Sequence, residues 1–376
     1  MKKIIILSQA PLTPQIKRNN LIDSFFSVGY KDLEFWDLSQ YLHPGMSFVD
    51  ELHEDYVKYV VSLVELKQLL ISVDSSNTIF VLDFDISWSA RHIFAELSKS
   101  GYFYVRIDMY ANTYLYTSKI KQLQKLFSKN LKSIVKAKLG IIAYKIYAFI
   151  YHISPFKHYY SSSSIVSCTD KINHPDYEEF YFTKSKQICN FNYILFVDTC
   201  FGTHPDDVFI YKYKNIPRNK NYQESVNRFF SYLEHKYKIP VVIAAHPKSD
   251  YRNGEFGGRK IIKYETKNLV LFADKVILQL CNTISWVTLA NKPVVFITTK
   301  DYDSLAHRRK RLRQLVKILG TKVYNIDSES YSGITFSMIE DKKRMSYINT
   351  YLTDESTCRK KNIDILKTSF ESEIIK

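Results

Sequence analysis

Residues 241–248 read VVIAAHPK, five small or β-branched apolar residues followed by a histidine, a proline and a lysine. An uninterrupted apolar run of this length is typical of a strand that is buried on both faces of a parallel sheet. Similar runs lie on either side of it, with helical spacing between them: YILFV at 193–197, VILQ at 276–279 and VVFIT at 294–298. Because parallel strands need helical crossovers, this half of the chain predicts a Rossmann-type α/β unit.

The first half of the chain repeats this alternation. Apolar runs at 3–7 (KIIIL), 78–82 (TIFVL) and 102–107 predict buried strands, and helical spacing predicts a helix over 56–73. Two such units indicate an α/β protein with two Rossmann-like domains, whose parallel sheets face each other across a cleft. The predicted divisions are a first domain at 1–185, a second at 186–340 and a helical tail at 341–376.

The composition is that of an ordinary globular protein. Apolar residues make up 45% of the 376 residues and charged residues 24%, which excludes disordered and collagen-like chains. The five cysteines are scattered and form no C-x-x-C pair, so neither a disulfide framework nor a zinc site is predicted. This cysteine pattern favours a reducing, cytoplasmic location. Lys and Arg outnumber Asp and Glu by 53 to 38, a net charge of +15 that suggests an anionic partner.

The segment 118–157, which we assign to the first domain, holds nine lysines and no Asp or Glu, with apolar residues between them. This pattern predicts a basic amphipathic helix lying on an anionic membrane surface, at the inner face of the cytoplasmic membrane. The basic cluster 307–311 (HRRKR) is expected to assist. The alternative is a helix whose apolar stripe packs on the sheet and whose lysines are solvated. The apolar stretch 139–153 is too short to span a bilayer, and the start MKKIIILSQ lacks the pattern of an export signal.

Basic side chains follow the strand at 241–245. His246 and Lys248 flank a rigid proline, and Arg259 and Lys263 come within one loop. Because ligands of α/β sheets bind outside the carboxyl ends of the strands, these four side chains are predicted to bind phosphate. The alternative is a solvated loop whose basic residues are incidental.

Two further strand ends carry polar groups. The sequence QLCNTISW at 279–286 places Asn282, Thr283 and Ser285 at the start of the next helix. These side chains are predicted to help bind phosphate at the helix N-terminus. The alternative is an ordinary N-cap, which needs only one of them. VDTCFGTHPD at 197–206 supplies three side chains that either orient a sugar or ribose hydroxyl or only cap a solvated loop: Asp198, His204 and Asp206.

In the first domain, the strand at 78–82 is followed by Asp83 and Asp85. A carboxylate at this position is predicted to act as general base on an acceptor hydroxyl. An Asp-x-Asp pattern also binds a divalent metal and a diphosphate in some transferases, but the same pattern recurs at 301–303 and carries little information. The cations near His246 are expected to replace a metal, so neither a metal nor a cofactor is predicted.

The order of these motifs resembles a known family. VDTCFGTHPD, VVIAAHPKSDY, FGGRKIIK and VILQLCNTISWVTLANKPVVFITT follow one another as in glycosyltransferases of bacterial surface-polysaccharide clusters, and the logic is similar to that of GT-B sialyl- and Kdo-transferases. The resemblance covers residues 190–300 and extends to the first half only in architecture. It implies that His246 and Pro247 match a His-Pro motif and that Ser285, with Thr283, matches a Ser motif around the donor nucleotide. The acidic motif of the sialyltransferases has no counterpart here, so the base is assigned by position alone.

The resemblance implies a GT-B glycosyltransferase. Its donor would be a nucleotide-activated sugar, including a CMP-linked acidic sugar, and its acceptor a lipid-linked or oligosaccharide glycan of O-antigen or capsule. A metal-dependent or polyol-phosphate transferase would use the same phosphate site. A non-catalytic nucleic-acid-binding protein is the alternative from another class, since the charge is +15 and 15% of the residues are aromatic. Nucleic acid is the less favoured partner, because no recognised nucleic-acid module is present.

Overall fold

The computed structural model describes residues 2–108, 110–113, 131–210, 213, 219–251 and 254–372. Within these ranges the chain forms two parallel β-sheets, each flanked by helices. The part of the predicted basic helix before residue 131 lies outside the described residues.

The first sheet has the strand order β3-β2-β1-β4-β5-β6-β7, and all its pairings are parallel. Its strands are β1 Lys3–Ser8, β2 Leu33–Asp37, β3 Val57–Tyr59, β4 Thr78–Leu82, β5 Phe103–Asp108, β6 Tyr159–Ser161 and β7 Asp170–Lys171. Successive side chains of a strand point to opposite faces, so β1 contributes Ile4 and Ile6 to one hydrophobic core and Ile5 and Leu7 to another. This sheet is therefore buried on both faces, as the uninterrupted apolar run of β1 predicts.

The second sheet has the order β10-β9-β8-β11-β12-β13 and is also parallel throughout. Its strands are β8 Ile194–Val197, β9 Val241–Ala245, β10 Ile261–Lys263, β11 Lys275–Leu278, β12 Val294–Thr298 and β13 Val323–Asn325. In both sheets the strand order reverses beside the first strand of the domain, between β1 and β4 and between β8 and β11. Such reversal points open a crevice at the carboxyl edge of the sheet, where ligands bind. The prediction of two Rossmann-like α/β domains is confirmed.

Helices connect the strands and cover the sheets. Among the described residues they are α1 Pro14–Asn19, α2 Ile22–Ser27, α3 Ser39–Leu42, α4 Leu63–Ile71, α5 Arg91–Lys99, α6 Leu131–Ile150, α7 Pro175–Phe182, α8 Pro205–Phe209, α9 Asn219–Tyr237, α10 Thr266–Phe272, α11 Ile284–Ala290, α12 Lys300–Ser304, α13 Ala306–Leu319, α14 Asp341–Tyr351 and α15 Asn362–Ser372. No helix in these ranges has the length and apolar character needed to cross a bilayer.

One predicted helix is shorter in the structure. The helical spacing over 56–73 gives a helix only from Leu63, where the Ser62 hydroxyl caps the helix by accepting the backbone N–H of Glu65. The residues before it form the edge strand β3, which pairs with β2. The prediction was wrong there because strand pairing depends on a distant partner that local spacing does not reveal.

The C-terminal segment joins both domains. Helix α14 places Tyr347, Ile348 and Tyr351 in the core of the second domain. The chain then crosses back, and α15 packs Leu366 and Phe370 into the core of the first domain. The segment predicted as a tail, 341–376, thus contributes apolar side chains to both cores.

Candidate functional site

The carboxyl edges of the two sheets face each other. Lys263, the last residue of β10, forms an ion pair with Asp50 of the first domain, and Tyr264 donates to the same carboxylate at 2.8 Å. The Lys248 ammonium, just beyond β9, lies 4.6 Å from the ring centroid of Phe48. Side chains that follow strands of the second domain therefore contact the first domain directly.

The loop after β9 is ordered around His246. The ring Nδ1 of His246 accepts the backbone N–H of Lys248 at 3.1 Å, and the His246 carbonyl accepts the backbone N–H of Ser249 at 2.9 Å. Pro247 lies between them and fixes the backbone where the strand stops. The hydrogen bond at Nδ1 therefore holds the imidazole against its own loop, and Nε2 takes no part in that bond.

A second loop of the same construction lies beside it. His204 precedes Pro205, and its Nδ1 accepts the backbone N–H of Asp206 at 3.1 Å. The ring centroids of His204 and His246 are 4.6 Å apart. Asp206 in turn accepts a hydrogen bond from the Lys248 ammonium at 2.6 Å. The structure therefore brings together two predicted strand ends, the one after β8 and the one after β9.

The protonation state of this histidine pair follows from its surroundings. Desolvation, together with the nearby charges of Lys248 and Arg308, lowers the pKa of His204 to about 3. Desolvation lowers the pKa of His246 well below its ordinary value, and His204 and Lys248 lower it further. In a neutral ring whose Nδ1 accepts a hydrogen bond, the proton resides on Nε2. Both imidazoles are then neutral N–H donors, and among the described residues neither Nε2 has a hydrogen-bond partner.

Asp198 lies beneath the His246 loop. Its Oδ2 accepts hydrogen bonds from the backbone N–H of Cys200 at 3.0 Å, from that of His246 at 3.4 Å and from the Tyr251 hydroxyl at 2.7 Å. Desolvation raises the pKa of this carboxyl group. Its side chain is buried, so the structure places Asp198 as a support of the loop instead of on the surface of the cleft.

Arg308 lies beside the candidate site, through its contacts with Asp207 and Phe201. We expected the cluster 307–311 to face a membrane, but the Arg308 side chain is only 11% exposed and forms an ion pair with Asp207. Its guanidinium lies 5.8 and 5.9 Å from the ring centroids of Phe201 and Tyr302. Helical spacing in the sequence could have predicted this burial, because Arg308 is four residues before Leu312, on the buried face of α13.

Arg259 does not join the His246 loop. Its guanidinium bonds to Glu234 at 2.9 and 2.6 Å, and Glu234 also accepts the backbone N–H of Val241, the first residue of β9. His246 follows the last residue of that strand, roughly 16 Å away at ~3.3 Å per residue. The prediction that Arg259 shares a phosphate with His246 is therefore corrected. Lys263 does lie at the carboxyl edge, where it bonds to Asp50 and to the Ser249 carbonyl.

The strand end after β11 has a different arrangement from the one predicted. Ser285 is fully buried, and its hydroxyl bonds to the carboxylate of Asp176 and to the Asn282 carbonyl at 2.9 Å. Asp176, on α7, also pairs with Arg18 of the first domain at 3.1 Å. Thr283 precedes α11 without capping it through its side chain. This junction lies at the same sheet edge as His246, across β8, but its serine ties the domains together.

The first domain presents Asp83 at its own reversal point. The carboxylate follows β4 and accepts the Ser8 hydroxyl at 2.6 Å and the backbone N–H of Gln9 at 3.3 Å, both at the end of β1. Desolvation raises the pKa of Asp83 to about 6. Its neighbour Asp85 is 60% exposed and pairs with Arg106 at 2.5 Å.

Tyr110 follows β5 at the carboxyl edge of the first sheet. Its hydroxyl accepts a hydrogen bond from the Asn19 amide at 3.3 Å. The pKa of the phenol is raised to about 12, mainly by desolvation, with contributions from the charges of Asp83 and Asp206. Within the described parts of the chain, no group of three His, Cys, Asp or Glu side chains is close enough to bind a metal ion.

No protein-family model matches the sequence, and no curated protein matches it. Solved structures do match in fold. A histidine-to-asparagine variant of the wall teichoic acid polymerase TagF, soaked with CDPG, aligns with a TM-score of 0.50 at 10% identity, covering 99% of this chain and 89% of that one.

The glycotransferase of kitacinnamycin aligns with a TM-score of 0.45 at 10% identity, covering 99% of this chain and 96% of its own. The UDP-GlcNAc 2-epimerase of Methanocaldococcus jannaschii aligns with a TM-score of 0.45 at 11% identity, over 99% of this chain and all of the other. At such identities the likeness concerns the fold, which is GT-B, with two Rossmann-like domains facing each other.

Proposed function

We propose that the chain is a glycosyltransferase that moves a sugar from a nucleotide-activated donor to a lipid-linked or oligosaccharide acceptor of a surface polysaccharide, either O-antigen or capsule. The observation that carries this proposal is the combination of a pair of neutral His N–H donors at the carboxyl edge of the second sheet with a carboxylate of raised pKa at the carboxyl edge of the first. A CMP-linked acidic sugar is the donor that the sequence resemblance favours.

The second domain supplies groups that suit a leaving phosphate. The Nε2–H groups of His204 and His246 are uncharged donors, and Lys248 adds a positive charge beside them. Asp206 takes one of the three N–H donors of Lys248, which fixes the direction of the others. Donors that are already in place stabilise developing negative charge without reorganisation, and this effect is often the largest single contribution to catalysis. In the proposal these groups take the role of a metal ion, which is to stabilise the charge on the leaving phosphate.

The first domain supplies a base. A carboxyl group with a pKa near 6 is mostly ionised at neutral pH and still accepts a proton readily, which suits general-base catalysis. In the proposed step the acceptor oxygen forms a bond to the anomeric carbon, and the bond from that carbon to the phosphate oxygen breaks. The electron pair goes to the phosphate, and the acceptor proton goes to Asp83. We assign the base to Asp83 over Asp85 because Asp85 is bound to Arg106.

A polyol-phosphate transferase is the second candidate. The solved structure that aligns with a TM-score of 0.50 is of a wall teichoic acid polymerase soaked with CDPG. The same pair of His N–H donors would suit the phosphate groups of such a donor. The two candidates differ in the activated group and share the phosphate site.

A thermal-shift panel separates these candidates. Wild-type protein is heated with CMP-, UDP-, GDP- and dTDP-sugars and with CDPG, with and without a strong chelator. A ligand that binds only the native state stabilises it by about 2.7 kcal/mol at ~100 times its Kd. We expect stabilisation by one nucleotide sugar that survives the chelator and is lost in the variant His246→Asn, since Asn keeps an acceptor for the loop backbone. Stabilisation by CDPG alone would favour the second candidate. No stabilisation by any of them would refute both.

A further inference from the structure

Helix α6 is apolar on the side that faces solvent. Residues 140, 143, 144, 147 and 148 face the first domain, where the Tyr147 hydroxyl bonds to His92 at 3.0 Å. The opposite side, which we call the outer face of α6, is mostly solvent-exposed, with Phe149 81% and Ile146 56% exposed. It consists of Leu139, Ile141, Ile142, Ile146, Phe149 and Ile150. A helix that is apolar all round is normally covered on all sides.

The sequence of the segment that contains α6 carries charge of one sign. Residues 109–169 contain nine lysines and no Asp or Glu, and Lys145 is the one charged residue between 139 and 150. Aromatic side chains adjoin the helix. Trp88 is 47% exposed and lies under the guanidinium of Arg91, 4.2 Å from its ring centroid. Exposed apolar residues beside lysines and an interfacial tryptophan are what a helix lying in a bilayer interface presents.

We propose that the outer face of α6 docks on an anionic lipid bilayer, with Ile146 and Phe149 inserted among the acyl chains and the exposed Lys145 at the headgroups. The positive charge of the segment distinguishes between two partners that would cover an apolar face, a lipid bilayer and a second copy of this chain. A second copy of this chain would bring lysines against lysines, because the segment lacks a carboxylate to pair with them. An anionic bilayer accepts the apolar side chains and the positive charge together.

The position of α6 determines which edge of the first sheet lies near the bilayer. Tyr147, on the inner side of the helix, bonds to His92 at 3.0 Å, and its ring centroid is 6.0 Å from that of Trp88; both partners lie in the segment that follows β4. Asp85 and Asp83 both follow β4 at the carboxyl edge of the first sheet. A protein docked through α6 therefore holds this edge next to the lipid surface. If the proposed function is correct, a lipid-linked acceptor meets the base there.

The experiment is flotation of the full chain with vesicles, in the absence of donor and acceptor. Vesicles of phosphatidylcholine with about one third phosphatidylglycerol are compared with vesicles of phosphatidylcholine alone. The test variant carries Ile146→Glu and Phe149→Glu. The matched control carries Val64→Glu and Ile71→Glu on α4, where both side chains are also exposed, at 64% and 86%. Circular dichroism and light scattering establish fold and oligomeric state.

We expect the wild type and the α4 variant to float with anionic vesicles, and the α6 variant to lose at least tenfold in partition coefficient. The proposal is overturned if the wild type does not float, if the α6 variant floats equally well, or if neutral vesicles bind as strongly as anionic ones. A wild-type dimer that the α6 substitutions convert to monomer, without vesicle binding, overturns it in favour of a second copy. Because the assay contains no substrate, its result is independent of the thermal-shift panel.

Discussion

Replacement of His204 by Asn should abolish part of the acid sensitivity of the protein. The pKa of His204 is about 3 in the folded chain and about 6.5 for an unperturbed histidine. Between these values the unfolded chain binds a proton that the folded chain does not, so this histidine stabilises the fold above pH 6.5 and that contribution is lost as pH falls towards 3. Between pH 7 and pH 5 the loss from this one group amounts to about 2 kcal/mol.

Urea unfolding at pH 7 and at pH 5 measures this effect. Asn is a good N-cap, so His204→Asn keeps an acceptor for the backbone N–H of Asp206. The wild type should lose about 2 kcal/mol more of its free energy of unfolding between the two pH values than the variant does. His235→Asn, at an exposed histidine of α9, serves as the control and should behave as the wild type. Equal pH losses for wild type and His204→Asn would refute the assignment of His204 as a neutral, desolvated ring.

Three further variants test the site. His246→Asn should lower donor turnover roughly 100- to 1,000-fold with the fold retained, because it removes one N–H donor to the leaving phosphate; unchanged turnover would contradict that role. Asp83→Asn should lower kcat by about 100- to 10,000-fold and remove the acid limb near pH 6 from the pH–rate profile of the wild type, and a profile that keeps this limb would point to another base. Arg259→Met should leave kcat unchanged but lower the free energy of unfolding in urea by about 1–3 kcal/mol, because Glu234 loses its partner. A fall in kcat without loss of stability would instead support the original prediction that Arg259 binds phosphate.

The sequence was a good guide to those parts of the protein that local patterns specify. The apolar runs at 3–7 and 241–245 form central parallel strands, and the residues after them lie at the carboxyl edges. The positions of His246 and Asp83 directly after such strands could be predicted because a strand end is visible in the sequence. Each of these inferences uses only the few residues that surround the feature, since the burial of a strand sets its own hydrophobic pattern.

The tertiary structure alone decided which side chains meet. Arg259 follows His246 closely in sequence, yet the chain returns along β9 before it enters β10, and this puts Arg259 at the opposite edge, against Glu234. Arg308 looked like one charge of a basic surface, but it is turned inward to Asp207, 101 residues away. For the apolar residues of the segment 118–157 the sequence left two alternatives, a lipid surface or the sheet, and the fold leaves Ile146 and Phe149 exposed to solvent. Periodicity indicates which face of an element is apolar, whereas the partner of that face depends on how distant elements pack, because contacts between them are made only when the chain folds.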